Sequence, residues 1–195
     1  MGNPFGDHVD VFVVRHEFGD VYRMVSIDDR FLPTPADIRA IVRVCNEPLV
    51  YGFLFRDRIG SRPYVEQDAR DFLAWAREGW SSGERMFFLL LDPLGEIAAA
   101  IDIGALDESR AALVGYWCSS FHSGLMTNTV ERLAELALDV GYLKFIALAE
   151  AENVRSISVL KRTGFTHVGS EEQPISFIGR PVGKTVKFRR YERAL

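Results

Sequence analysis

Along this chain the apolar positions first alternate with polar ones, then recur every three or four residues, then alternate again, and the switches divide it into elements. VDVFVVRHEFGDVYRMVSI reads as two extended runs around Phe18-Gly19-Asp20, an edge hairpin. In FLPTPADIRAIVRVCNEP, Thr34 precedes Pro35 at a first helical position. Ile38, Ile41, Val42 and Cys45 then share one face, and the helix stops before Pro48. YVEQDARDFLAWAREGWSSGE repeats the helical spacing with Ala69, Phe72, Leu73 and Ala76, and has Gly79 near its end.

RMFFLLLD, EIAAAIDIGAL and ALVGYWCSS are separated only by Pro93-Leu94-Gly95 and Asp107-Glu108-Ser109-Arg110, which predicts an antiparallel three-strand meander. LMTNTVERLAELALDVG carries Met126, Val130, Leu133, Ala137 and Val140 on one stripe and ends at Gly141. A strand YLKFIALAE, a short helix NVRSISVLKRTGF and two C-terminal strands complete the order ββ, α, α, βββ, α, β, α, ββ. One mixed α/β sheet flanked by helices accounts for this order, with residues 1–195 forming a single domain.

Composition narrows the function classes. A 195-residue chain that is 48% hydrophobic builds one full core. Its net charge of -4 gives no drive onto phosphate backbones or anionic lipid, so nucleic acid is not expected as a partner. The longest apolar stretch is broken by Asp92, Pro93 and Glu96, so no membrane span is expected. MGNPFGDHVD has neither a basic leader nor an apolar core, and a cytoplasmic location is the expectation. Cys45 and Cys118 are far apart and in no CxxC, and His8, His16, His122 and His167 show no helical pairing, so neither a disulfide framework nor a metal site is expected.

IGRPVGKT has three residues between its glycines where a nucleotide-binding loop needs four, and KTVKFRRYER alternates like a strand, so a hairpin turn is expected there. No GxSxG elbow is present. What remains is a pair of helix starts, each fed by a strand: YWCSSFHSGLMT, and IALAEAENVRS. Two sets of unpaired N–H groups and two positive dipole ends suit a ligand with a pyrophosphate and amide groups.

At these residues the chain resembles the GNAT superfamily of acyl-CoA-dependent N-acetyltransferases, and within it the Rim-type branch that acetylates ribosomal-protein N-termini and other amines. The matches are Gly115-Tyr116-Trp117, Gly124-Leu125-Met126-Thr127, and Asn153-Val154-Arg155-Ser156 with Lys161 and Gly164-Phe165. The resemblance implies a mostly antiparallel sheet splayed between two central parallel strands, with the pantetheine arm of acetyl-CoA in the gap. It implies cofactor contacts from Trp117, Cys118 and Ser119, through His122, Ser123, Gly124, Leu125, Met126 and Thr127, to Asn153, Ser156 and Lys161.

The family's phosphate turn has two glycines and this chain supplies one: aligned on Gly124-Leu125-Met126-Thr127, Ser119 takes the basic or amide position and His122 the first glycine, and aligned on Tyr116-Trp117, Gly124 is the first and Met126 stands at the second. Where many relatives carry a tyrosine, seven residues after the Asn, this chain has Leu160. The Rim-type pattern points to Ser156 for protonating the leaving thiolate. Asn153 equally suits an N-cap and Ser156 equally suits a bond within its own helix.

An amine acceptor must lose a proton before it attacks, and its base is expected among Glu150, Glu152, Glu171 and Glu172, with Glu150 placed first. Tyr116 and Trp117 point to opposite faces of their strand, one into the core and one toward the acceptor, with Tyr116 assigned to the acceptor. The expected reaction is acetyl transfer to a primary amine of a small molecule, peptide or protein N-terminus. A non-catalytic acyl-CoA-binding module, a transferase for a longer acyl group, and a homodimer all remain open.

Overall fold

The computed structural model describes residues 3–15 and 19–195. Eight strands form one sheet in the order β1-β2-β3-β4-β5-β6-β8-β7, and only β5 and β6 run parallel. They are β1 (Asp10–Arg15), β2 (Asp20–Ser26), β3 (Arg85–Leu91), β4 (Ile97–Gly104), β5 (Ala111–Cys118), β6 (Lys144–Ala149), β7 (Thr166–Phe177) and β8 (Arg180–Ala194). The first hairpin closes with Arg15 opposite Asp20, while His16 and Phe18 lie outside the described residues. Helices α1 (Pro35–Cys45), α2 (Pro48–Leu54), α3 (Glu66–Ser82), α4 (Leu125–Asp139) and α5 (Val154–Arg162) cover the sheet.

The uninterrupted apolar run of β3 follows from burial on both faces. Met86, Phe88 and Leu90 pack with Val130, Leu133 and Ile157 under α4 and α5, whereas Phe87 and Leu89 pack with Ile41, Phe72 and Leu73 under α1 and α3. Helix α1 starts as its sequence indicates: the Thr34 side chain accepts from the Asp37 amide, and Asp37 accepts from the Thr34 amide. In α3, Asp68 is buried, accepts from the Val65 amide at 2.8 Å, and takes two hydrogen bonds of 2.6 Å from Arg62.

One expectation needs correction. Pro48, read as the end of α1, also begins α2, because a proline suits a first helical position as well as it ends the preceding helix. The helical order PADIRAIVRVC is therefore followed at once by a second, short helix over Pro48–Leu54. The hairpin turn expected in IGRPVGKT is present: β7 and β8 turn at Ile178-Gly179, both at positive φ.

Candidate active site

The central strands pair only at Ala111↔Lys144, Ala112↔Phe145 and Leu113↔Ile146. Beyond that point β5 stays with β4, through Ala99↔Cys118, and β6 stays with β8, through Ala149↔Arg189. The strands therefore part, and from Val114 onward the edge of β5 that faces β6 has no strand partner. Two cavities open at this wedge, of about 450 Å³ and about 350 Å³, and both are lined by Gly115, Tyr116, Trp117, Leu148 and Asn153.

The larger cavity leads to the starts of α4 and α5. Cys118, His122, Ser123, Gly124, Met126 and Ser156 line it together with Trp117 and Asn153. Gly124 sits at φ 85 as the N-cap of α4, and no side chain caps that helix, so its first amides are open to an anion. Met126 lies inside the first turn, where no positive φ is required. The single glycine of this turn is thus the one the backbone needs.

Of the remaining expected cofactor residues, Ser119 is buried and its side chain accepts from the Phe121 amide at 3.3 Å. Leu125 is core, Thr127 accepts from Arg162 Nε at 3.2 Å, and Lys161 is exposed and lines neither cavity. The cations that do line the larger cavity are Arg155 and Arg162. Seven residues apart, they fall on one helical face, whereas Lys161 is rotated away from Arg155 by about 120° at 100° per residue.

Asn153 caps α5 by accepting from the Ser156 amide at 3.2 Å, and its side chain still faces both cavities. The Tyr116 hydroxyl lies 3.0 Å from Ser156 Oγ and donates to the Ser156 carbonyl at 3.2 Å. Burial pushes the Tyr116 phenol up to about 12 and the Cys118 thiol up to about 12, so both keep their protons at neutral pH. His122 is held below its ordinary value by burial, and its Nδ1 meets the Tyr22 hydroxyl at 2.7 Å. Leu160 is fully core, so Tyr116 is the residue that brings a phenol to Ser156. Trp117 packs in the core against Phe72, while Tyr116 lies on the α4/α5 side and reaches both cavities.

The smaller cavity has aromatic walls, among them Phe55, Tyr64, Phe72, Trp75 and Phe177, and four charged side chains. Arg85 donates to Asp102 at 2.6 Å and stacks over Trp75 and Phe87 at 5.9 and 5.7 Å. Burial raises the Asp102 carboxyl, partly offset by Arg85. A Cβ at Gly115 would come within 2.9 Å of Asp102 Oδ1, so the bare strand at this residue gives the carboxylate its space.

Glu150, at the open end of β6, is raised above the usual carboxylate range by burial, with Arg58 opposing. Glu152 is exposed at the rim of the larger cavity, Glu171 pairs with Arg190 at 3.4 Å, and Glu172 is exposed and away from both cavities. Sequence reasoning missed Asp102, Arg85, Arg58 and Arg162. Only Asp102 left a signal, as a lone carboxylate inside the apolar run IAAAIDIG. Among the described residues no group of three or more His, Cys, Asp or Glu side chains could hold a metal ion, and no helix is long and apolar enough to cross a membrane.

Comparison with known proteins fits this geometry. Residues 30–166 match the family model described as an acetyltransferase (GNAT) domain. No curated protein matches the chain in sequence. Among solved structures, RimJ of Mycobacterium smegmatis in complex with CoA-disulfide superposes with a TM-score of 0.72 at 17% identity, over 98% of this chain and 90% of that one. RimL, a ribosomal L7/L12 alpha-N-protein acetyltransferase, superposes with a TM-score of 0.69 at 16% identity, over 97% of each chain. The microcin C7 self-immunity acetyltransferase MccE, in complex with acetyl-CoA and AMP, gives 0.67 at 16% identity, over 88% of this chain and 92% of that one.

Proposed function

The chain belongs to the GNAT acetyltransferase family, and from that premise we propose that it is an acetyl-CoA-dependent N-acetyltransferase passing the acetyl group directly to a primary amine with both substrates bound. The observation that carries this reading is the wedge between β5 and β6. It joins an uncapped helix start on one side to the carboxylates of buried Asp102 and half-buried Glu150 on the other.

The residues fit the cofactor. The first amides of α4, with Arg155 and Arg162, suit its pyrophosphate, and the free edge of β5 suits the amides of its pantetheine arm. Acetyl-CoA supplies an activated acetyl thioester at the wedge. An alkyl ammonium holds its proton at neutral pH, with a pKa near ~10, and must give it up before it attacks. Glu150 takes that proton, its burial matching it to a base better than an ordinary surface carboxylate would be.

Glu150 returns the first proton to solvent; a second leaves the nitrogen as the N–C bond forms and the C–S bond breaks, and the group that protonates the sulphur takes it up in exchange, ending as it began. Ser156 is placed to donate there. Tyr116 donates its one proton to the Ser156 carbonyl, so its oxygen, 3.0 Å from Ser156 Oγ, is left to accept from that hydroxyl and holds it at the wedge until the sulphur takes its proton. The positive end of α5 favours the charge that develops on the sulphur. Holding amine and thioester together in the wedge supplies much of the rate.

The RimL neighbour acts on a protein N-terminus by its name. We carry that acceptor class to this chain beside small-molecule amines, and place the reaction in the cytoplasm, where the thiols of Cys45 and Cys118 stay free. The experiment is thiol release from acetyl-CoA over a panel of primary amines, with acetyl-CoA affinity measured by calorimetry. Amine-dependent release is expected, and failure to bind acetyl-CoA at millimolar concentration would overturn the reading.

A further inference from the structure

In the smaller cavity the charges do not all pair. Asp102 is taken by Arg85 at 2.6 Å, and Asp57, the neighbour of Arg58 in the chain, is taken by Lys184 at 3.2 Å. This leaves Arg58 and Glu150, one of each sign, facing the same space. They interact through the field, yet no oxygen of Glu150 lies within the 4.0 Å of a salt bridge to Arg58. Among the described residues the Glu150 carboxylate accepts no hydrogen bond, and Arg58 Nη2 donates none.

The guanidinium is nevertheless held firmly. Its Nε donates to the Ser176 carbonyl at 3.1 Å, and its Nη1 donates to the carbonyls of Phe53 and Leu54 at 3.2 and 2.8 Å. These bonds anchor it between the end of α2 and the β7–β8 hairpin and leave one edge free. Each group is half-buried with an edge that only water serves, so burial weakens its solvation with no protein partner in exchange. A molecule carrying both charges would relieve both at once.

We propose that the acceptor is a free α-amino acid with an aromatic or large apolar side chain. Its ammonium meets Glu150, its carboxylate meets Arg58 Nη2, and its side chain lies against Phe55, Phe72 and Trp75. The inference rests on the acetyltransferase reading and narrows its acceptor. A peptide N-terminus has the amine and the side chain but an amide carbonyl where Arg58 requires an anion, so it satisfies only Glu150. A cavity of about 350 Å³ is at the small end of ligand pockets and suits one residue rather than an extended chain.

The test compares kcat/KM for L-phenylalanine, L-phenylalaninamide and phenethylamine, in the wild-type protein and in Arg58→Gln. The wild type is expected to favour the amino acid by about 10- to 100-fold over both analogues, the value of a charge-assisted hydrogen bond in a half-buried site. The amide's amine is less basic and offers more of the reactive neutral form, so that bias runs against the expected order. Arg58→Gln should bring the three within about three-fold of one another, mostly through KM for the amino acid, and Arg58→Lys should restore part of the preference.

Equal use of all three by the wild type, or an equal loss for all three in Arg58→Gln, overturns the inference and leaves the acetyltransferase reading standing. If Arg58→Gln does not fold, the wild-type order alone decides. Turnover on none of the three also overturns it, and a calorimetric titration with acetyl-CoA in the same buffer then shows whether the acetyltransferase reading falls with it.

Discussion

Replacing Tyr116 by phenylalanine removes one oxygen from the wedge and leaves the ring that fills it. That oxygen bonds Ser156 Oγ at 3.0 Å and the Ser156 carbonyl at 3.2 Å. The ring stays, so no cavity forms, and the stability cost is the net loss of hydrogen bonding, about 1 kcal/mol. For a chain of this size that lowers Tm by about 2–4 °C. The kinetic cost is expected to be larger than the thermodynamic one. Without the phenol the Ser156 hydroxyl loses the partner that holds it at the wedge, and kcat should fall by about 10²-fold, the low end for an acid-base group.

Affinity for acetyl-CoA should change by no more than a few-fold, since the interaction is made only as charge develops on the sulphur. Ser156→Ala should cost about as much, and the double variant should cost little more than either, because the two hydroxyls act as a unit. Stopped-flow thiol release and calorimetry on the four proteins provide the numbers. A Tyr116→Phe protein with the expected drop in Tm and wild-type kcat would make the Tyr116–Ser156 bond structural only.

Three further outcomes follow from the same geometry. Arg155→Ala and Arg162→Ala should each weaken acetyl-CoA binding and flatten its salt dependence, while Lys161→Ala leaves both unchanged; calorimetry between low and physiological salt separates them. The pH profile of kcat/KM should rise through an acid limb above the usual carboxylate range, because burial raises Glu150 and only its ionised form accepts a proton, and Glu150→Gln should remove that limb along with most of the rate. Arg62 holds Asp68 below its ordinary value, so the stability this group contributes is fully present above its unfolded pKa and is lost as pH falls through the folded one. Asp68→Asn should therefore cost about 1–2 kcal/mol in urea melts at pH 7, and the difference from wild type should vanish in strong acid.

What could be read in the sequence were features written over a few adjacent residues. The Asn153-to-Ser156 helix start, the Gly124 turn and the short apolar runs of β3 to β5 between turn residues are local patterns whose causes, a cap, a positive φ and a strand buried in the sheet, act within one element. Helix α2 was hidden because a proline that ends one helix looks the same as a proline that begins the next. The acceptor side was hidden for a different reason. Arg58, Asp102, Glu150 and the hairpin at Ser176 come from four separated segments, and only the parting of β5 from β6 brings them to one cavity. Lys161 came with the family resemblance, and its helical phase turns it away from the face of α5 on which Arg155 and Arg162 line the cavity.

The central claim is that the wedge brings an amine and an acetyl thioester together, and the measurement closest to it is thiol release from acetyl-CoA with and without an amine. The account predicts slow release with acetyl-CoA alone and release that rises to saturation with amine concentration, one acetylated amine appearing for each thiol. Tight acetyl-CoA binding with no amine-dependent release, across amino acids, small amines and peptides alike, would contradict it and make the chain a binding module.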